Sequence, residues 1–206
     1  MEIVDKKSHW ENIYTSKQLH EVSWYQSIPE TSLEYVKQID LPLNASIIDV
    51  GGGDSFLVDY LLVLGYTNIT ILDISSAAIE RAKKRLGEKA ERVTWIVSDI
   101  LEFISGQQYD FWHDRAVFHF ITKDEEILTY KKNLISQLSE DARVLIGTFS
   151  FNGPLKCSGI EIKQYSSETM KITLSPELKW ISSQYVDHKT PFETTQNFVF
   201  CLFKKK

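Results

Sequence analysis

Ile47-Ile48-Asp49-Val50-Gly51-Gly52-Gly53-Asp54-Ser55 carries an apolar run into an acid, three consecutive glycines and two residues that commonly cap helices. The pattern predicts a strand turning tightly into a helix beside a ligand. Only residues without a Cβ take left-handed backbone angles freely and also leave room for a bound molecule against the turn. In open α/β sheets such turns sit at the carboxyl ends of strands, where nucleotide-like ligands bind. The turn departs from the dinucleotide pattern, because Gly51 and Gly53 supply two glycines but Phe56 stands in place of the third. Asp54 also puts a carboxylate where a diphosphate would need backbone N–H groups and the positive end of a helix. A cationic or zwitterionic ligand is therefore expected. The plainer alternative is a tight connection capped by Asp54 or Ser55.

Outward from the turn, strand-like and helix-like segments alternate. Further strands are predicted at Ile69 to Leu72, Val93 to Val97, Tyr109 to His113 and Arg143 to Phe149, mostly as continuous apolar runs suited to a sheet covered on both faces. Between them, Leu57, Leu61 and Leu64 share a helical face closed by Gly65. Ile79, Ala82 and Leu86 follow a cap at Ser75 or Ser76 and stop at Gly87. Thr122 to Glu125 has capping-box spacing before a stripe of Ile127, Leu128, Leu134, Ile135 and Leu138. Lys179 to Val186 and Phe198 to Phe203 have no crossover helix between them, which predicts an antiparallel pair. The fold class is α/β, a mostly parallel sheet with one reversed strand near an edge.

Three strands end in acids, Asp49, Asp73 and Asp99, which should converge on the binding crevice. Asp73 lies about twenty residues past the turn, where a carboxylate commonly accepts hydrogen bonds from a ribose diol. Its alternative is a helix cap before Ser75. Asp99 is a cap for the short segment Ile100 to Ile104 or an acceptor for an exocyclic amine.

With these pieces in place the chain resembles the class I S-adenosylmethionine-dependent methyltransferases. The resemblance rests on the Ile47 to Ser55 turn, Leu72-Asp73-Ile74, Ser98-Asp99-Ile100, the strand ending at Asp114 and the closing strand pair, and it covers most of residues 45 to 203. It implies a Rossmann-like, seven-stranded, mostly parallel sheet with helices on both faces. It also implies a methyltransferase with S-adenosylmethionine as cofactor, S-adenosylhomocysteine as product and no metal. Carried over by position, Gly51 and Gly53 hold the methionine portion, Asp49 organises the turn and the amine, Asp73 binds ribose, Asp99 lies near adenine, and Ile74 and Ile100 sandwich the base. Ser55 is a further contact, since the turn lacks the commoner alternating glycines. A sulfonium without phosphate fits an acidic turn.

The segment Tyr109 to Phe120 faces the reacting end. Asp114 is a candidate to orient a nucleophile or bind the methionine amine, and Arg115 to hold an acidic substrate; the equal alternative is a buried ion pair between the two that fixes the loop. His119 is a candidate general base by its near-neutral pKa, or a packing residue. Cys157 is expected to line the substrate pocket rather than act as a nucleophile. His9-Trp10, Tyr14 and Trp24-Tyr25 make residues 1–40 an aromatic helical lid on a catalytic core of 41–206, within one domain. Tyr25 faces the cofactor and Trp10 borders the substrate pocket; Trp10 and Tyr14, at i, i+4 spacing, also serve to dock the lid.

The fourth-strand exit lacks the Asn/Asp-Pro-Pro-aromatic motif of enzymes acting on exocyclic base amines, and no Pro-Cys segment follows a strand. With a formal charge of -5, the chain is not built for broad nucleic-acid capture. The acceptor is expected to be a small molecule bearing an N, O or S nucleophile. Trp10-x-x-x-Tyr14 and Asp114-Arg115-Ala116-Val117-Phe118 also resemble protein-lysine methyltransferases, which keeps a protein acceptor as the alternative. A regulatory protein that binds the cofactor without turnover is a third reading, and an NAD-dependent oxidoreductase is disfavoured by Asp54, Phe56 and the terminal strand pair. Two distant cysteines, no apolar leader and no bilayer-length apolar stretch lead to the expectation of a cytoplasmic protein without membrane contact.

Overall fold

Strand β1 (Ser46–Val50) is buried along its whole length, the polar Ser46 and Asp49 included. The computed structural model describes residues 5–206, so the first four residues of the expected lid lie outside the described residues. β1 pairs in parallel with β2 (Asn68–Asp73) on one side and β4 (Tyr109–Arg115) on the other. β3 (Val93–Val97) adds to β2, and β5 (Leu138–Phe149) adds to β4, both in parallel. The final strands β8 (Leu178–Lys189) and β9 (Thr195–Lys205) form a hairpin whose second arm, β9, inserts antiparallel beside β5. The sheet order is β3-β2-β1-β4-β5-β9-β8, with β9 alone reversed. A two-residue pair, β6 (Lys156–Cys157) and β7 (Ile160–Glu161), follows β5.

Alternate strand residues feed two cores. Ile48, Trp112, Val144 and Ile146 pack with Tyr130 and Leu134 of α5 (Asp124–Ser136) and Met170 of α6 (Ser167–Leu174). Ile47, Phe111 and Leu145 pack on the other face with Leu57 and Leu61 of α3 (Leu57–Val63) and Val36 of α2 (Glu30–Ile39). α2 therefore belongs to the layer on the sheet. α1 (Lys6–Ser16), in which Ile13 is the one buried residue, is not part of that layer.

Two helical faces differ from expectation. Leu64 and Leu128 are exposed, and Val58 and Tyr130 take the buried positions beside Leu61 and Leu134. Thr122 does not cap α5, which starts after Lys123 and presents Asp124, Glu125 and Glu126 to the positive end of its dipole. Ser75 does cap α4 (Ser76–Leu86), its hydroxyl accepting from the Ala78 N–H, and Gly87 ends that helix with φ +58°.

Candidate active site

Backbone crowding explains the three glycines. Gly51 has φ +68°, and a Cβ there would lie 2.1 Å from the Val117 side chain. At Gly52 a Cβ would meet Asp49 Oδ2 at 2.6 Å, and at Gly53, with φ +24°, it would meet Asp73 Oδ2 at 2.5 Å. The turn is thus pressed against two acids and the loop after β4. Gly51 and Gly52 face the cleft, whereas Gly53 lies behind it against Asp73.

Asp49 is held from the far side of the sheet. His113 Nδ1 lies 2.6 Å from Asp49 Oδ1, and Ser32 Oγ lies 2.9 Å from His113 Nε2. The second carboxylate oxygen, Oδ2, is sealed from solvent without a hydrogen-bond partner. Nothing in the local pattern around Ser32 or His113 signals this chain of contacts, because it joins residues 64 and 81 positions apart.

Asp54 corrects the reading of an acidic turn. Its carboxylate forms salt bridges to Arg81 (2.9 Å) and Arg85 (2.6 Å) of α4, and the Arg85 guanidinium also stacks 4.2 Å from the Phe56 ring centre. Its charge is therefore spent inside the protein. Negative character in the cleft comes instead from Asp49, Asp73 and Asp99, all of which line it. Ser55 lines it too, its hydroxyl accepting from the Leu57 N–H.

Asp73 accepts from the Ser75 N–H at 2.8 Å, and burial pushes its pKa up to about 7. That value above the ordinary 3.8 means the folded chain holds a proton that the unfolded chain has lost between about pH 4 and 7. Over that window this acid's contribution to stability falls as pH rises. Asp99 accepts from the Leu101 N–H, and Ile74, Leu72 and Ile100 form an apolar slot between the two acids.

The candidate bases do not reach the cleft. Asp114 is fully buried and captured, Oδ1 accepting from the Val117 and Phe118 N–H groups and Oδ2 from the Tyr130 hydroxyl at 2.6 Å. It neither pairs with Arg115 nor lines the cavity among the described residues. His119 is also fully buried, its ring lying between Phe120 and Phe149, and burial holds it neutral with a pKa of about 3. It is a packing residue whose Nδ1 accepts weakly, at 3.4 Å, from the Phe149 N–H. Arg115 and Cys157 do line the cleft, and burial pushes the Cys157 thiol up to about 12.

Over this floor lies α1. Trp10 packs edge-on against Trp24 and Phe120, and Tyr25 packs against Phe56. The helix is strapped down by charge at its middle and its C-terminal end: Glu11 accepts from the Ser75 and Ser76 hydroxyls at the start of α4, and Arg81 donates to the Tyr14 and Lys17 carbonyls at the end of α1. Glu11 thereby occupies the helix end that a phosphate would otherwise seek. With Ile13 the sole buried residue of α1, these polar straps should set its local stability. The double variant Glu11→Ala, Arg81→Ala should accelerate amide exchange across residues 8–16 by about tenfold or more, leaving sheet amides unchanged. Unaltered exchange would mean that the aromatic contacts alone hold the lid.

The cleft lies between α1, the glycine turn and the end of β4. Among the described residues no group of acids, histidines and cysteines has metal-binding proximity, and no helix is long and apolar enough to cross a membrane.

Comparison with known proteins adds an independent line. A family model described as a methyltransferase domain matches residues 47–139, from β1 into β5. The malonyl-[acyl-carrier protein] O-methyltransferase of Anoxybacillus flavithermus is 31% identical over 106 residues, 50% of this chain and 39% of that protein. Malonyl-[acyl-carrier protein] O-methyltransferase 1 of Ilyobacter polytropus is 26% identical over 206 residues, covering 96% of this chain and 69% of that protein. The chain thus spans less than half the length of the first relative. Among solved structures, the N-methyltransferase NodS from Bradyrhizobium japonicum in complex with S-adenosyl-L-homocysteine superposes with a TM-score of 0.69 at 16% identity, covering 98% of this chain and 99% of that one. That likeness establishes a common fold.

Proposed function

We propose that this chain is a class I S-adenosylmethionine-dependent methyltransferase, that its cleft binds S-adenosylmethionine and that a methyl group passes from it to an N, O or S atom of a small molecule, a reading supported by the methyltransferase-domain match and the methyltransferase relatives. The observation that carries the reading is the unpartnered Asp49 Oδ2 beside the glycine turn, in line with Asp73 and the Ile74–Ile100 slot. These residues suit the donor's ammonium, ribose and adenine in that order. Gly51 and Gly52 leave the backbone open to the amino-acid portion, and Asp99 stands at the adenine end. Bound there, the donor supplies a methyl on a sulfonium, already activated for in-line displacement.

The protein's share of catalysis is then chiefly orientation and exclusion of water, which removes about 7 to 11 kcal/mol of barrier in favourable cases. The aromatic lid of Trp10, Trp24 and Tyr25 supplies the exclusion, and its closeness to the floor supports a small acceptor over an extended peptide. Calorimetry with S-adenosylhomocysteine and NAD tests the donor assignment. Binding of NAD with no response to S-adenosylhomocysteine would sink it.

Protonation of Asp73 gives a second handle. Ribose hydroxyls donate to the ionised carboxylate, so binding competes with the proton that burial favours. The dissociation constant for S-adenosylhomocysteine should therefore fall about tenfold from pH 6 to pH 8, and Asp73→Asn should flatten the profile. A flat profile in the unaltered protein would remove Asp73 from the ribose site.

A further inference from the structure

Arg115 ends β4 inside the cleft with half of its guanidinium unused. Its Nη1 donates to the Trp24 carbonyl at 3.2 Å, and its plane lies 4.9 Å from the Phe198 ring centre. Nη2 is sealed from bulk solvent and has no hydrogen-bond partner among the described residues. No carboxylate of the described residues pairs with it: Asp114 is taken by Tyr130 and two backbone amides, and Asp49 by His113. Burial draws Arg115 down to about 10, so it remains a cation at neutral pH. The neighbouring His119 and His188 are both held neutral by burial and by Arg115 itself, and Cys157 remains a thiol. A guanidinium whose Nη2 is sealed off without an acceptor is unfavourable, Asp49 acting on it only through space, and an anion from the ligand is a fitting partner.

A guanidinium with a free N–H edge matches a planar carboxylate. The wall beside it is apolar and aromatic, from Trp10, Trp24 and Phe120. At this end the cleft offers no base other than Asp49 and His113, which are hydrogen-bonded to each other, since Asp114 and His119 lie outside it. A hydroxyl or ammonium acceptor would need one; a carboxylate does not.

We propose that Arg115 seats the carboxylate of a small acid with an apolar body, and that an oxygen of this carboxylate is the atom methylated. The proposal rests on the donor reading above. The carboxylate oxygen lone pair forms the new bond to the methyl carbon as the carbon–sulfur bond breaks, its electron pair remaining on sulfur. An anion and a sulfonium become a neutral methyl ester and a neutral thioether. No proton is released, so the step makes no demand on the Asp49–His113 pair.

The test uses protein saturated with S-adenosylhomocysteine and titrated with hexanoate, phenylacetate and their primary amides, followed by tryptophan fluorescence. The acids should bind at least about tenfold tighter than the amides, and Arg115→Gln should erase that difference while Arg115→Lys retains part of it. S-adenosylhomocysteine should still saturate both variants, so that loss of acid binding is read against an occupied donor site. Equal binding of acid and amide, no binding of either acid, or acid binding insensitive to Arg115→Gln overturns the seat. Failure of S-adenosylhomocysteine to bind at all defeats the donor reading instead. With methyl-labelled donor, the acids that bind should yield label released as methanol by mild alkali. Alkali-stable label, or no transfer to those acids, overturns the ester.

Discussion

Asp73→Ala should weaken S-adenosylhomocysteine binding by about a hundredfold, the loss expected when two hydroxyls lose charge-assisted hydrogen bonds at a buried carboxylate. The apo protein should not melt lower in proportion. Asp73 is buried with one hydrogen bond from Ser75 and a carboxyl pushed up to about 7, so its ionised form is a burden in the empty fold. The signature is thus a split: ligand-induced stabilisation disappears while the intrinsic melting temperature stays level or rises. Calorimetry and thermal melts measure the two halves separately. A dissociation constant within about threefold of the unaltered protein would show that the ribose site lies elsewhere, since one lost charged hydrogen bond already exceeds that.

Gly51→Ala should be the most damaging single-methyl change in the turn. The left-handed φ of +68° costs an L-residue about 1 to 2 kcal/mol, and the clash with Val117 at 2.1 Å adds about 1 to 3 kcal/mol of overpacking. Together these should lower the melting temperature by roughly 5 to 15 °C and abolish cofactor binding at micromolar ligand, because the same displacement opens the turn and the loop after β4. Val117→Ala placed on top should recover the clash but not the backbone strain, restoring about half of the loss. Full recovery would show that the backbone angle is unimportant; no recovery would show that Val117 is not the obstacle.

Much of this arrangement is legible from the chain alone because it is local. Most strands of the main sheet follow from apolar runs, the closing antiparallel pair from a connection without a helix, and the acids at the ends of β1, β2 and β3 from their position at the ends of those runs. The glycine turn is likewise read correctly as a place where side chains do not fit. Long-range polar pairing is not legible. Asp54 looks like a free charge until Arg81 and Arg85 arrive from a helix about thirty residues away, where periodic arginines read as a solvated face. Asp114 looks catalytic until Tyr130, on α5, takes one oxygen. Glu11, in a helix with little amphipathic pattern, gives no sign that it caps α4. Leu64 and Leu128 fail for a different reason: at a helix end or beside a broad stripe, one residue of drift turns a leucine into solvent.

The place of β9 in the sheet sets an order of assembly. β8 has no partner in the main sheet except β9, and β5 meets β9 rather than the strand that precedes it in the chain. During synthesis, therefore, β8 waits without a neighbour until the following strand has emerged, and the open edge of β5 waits with it. Phe198, the aromatic face beneath Arg115, belongs to that late strand. The residues that β1 to β3 bring to the cleft, Asp49 and Asp73 among them, are thus synthesised well before the ring on which Arg115 rests.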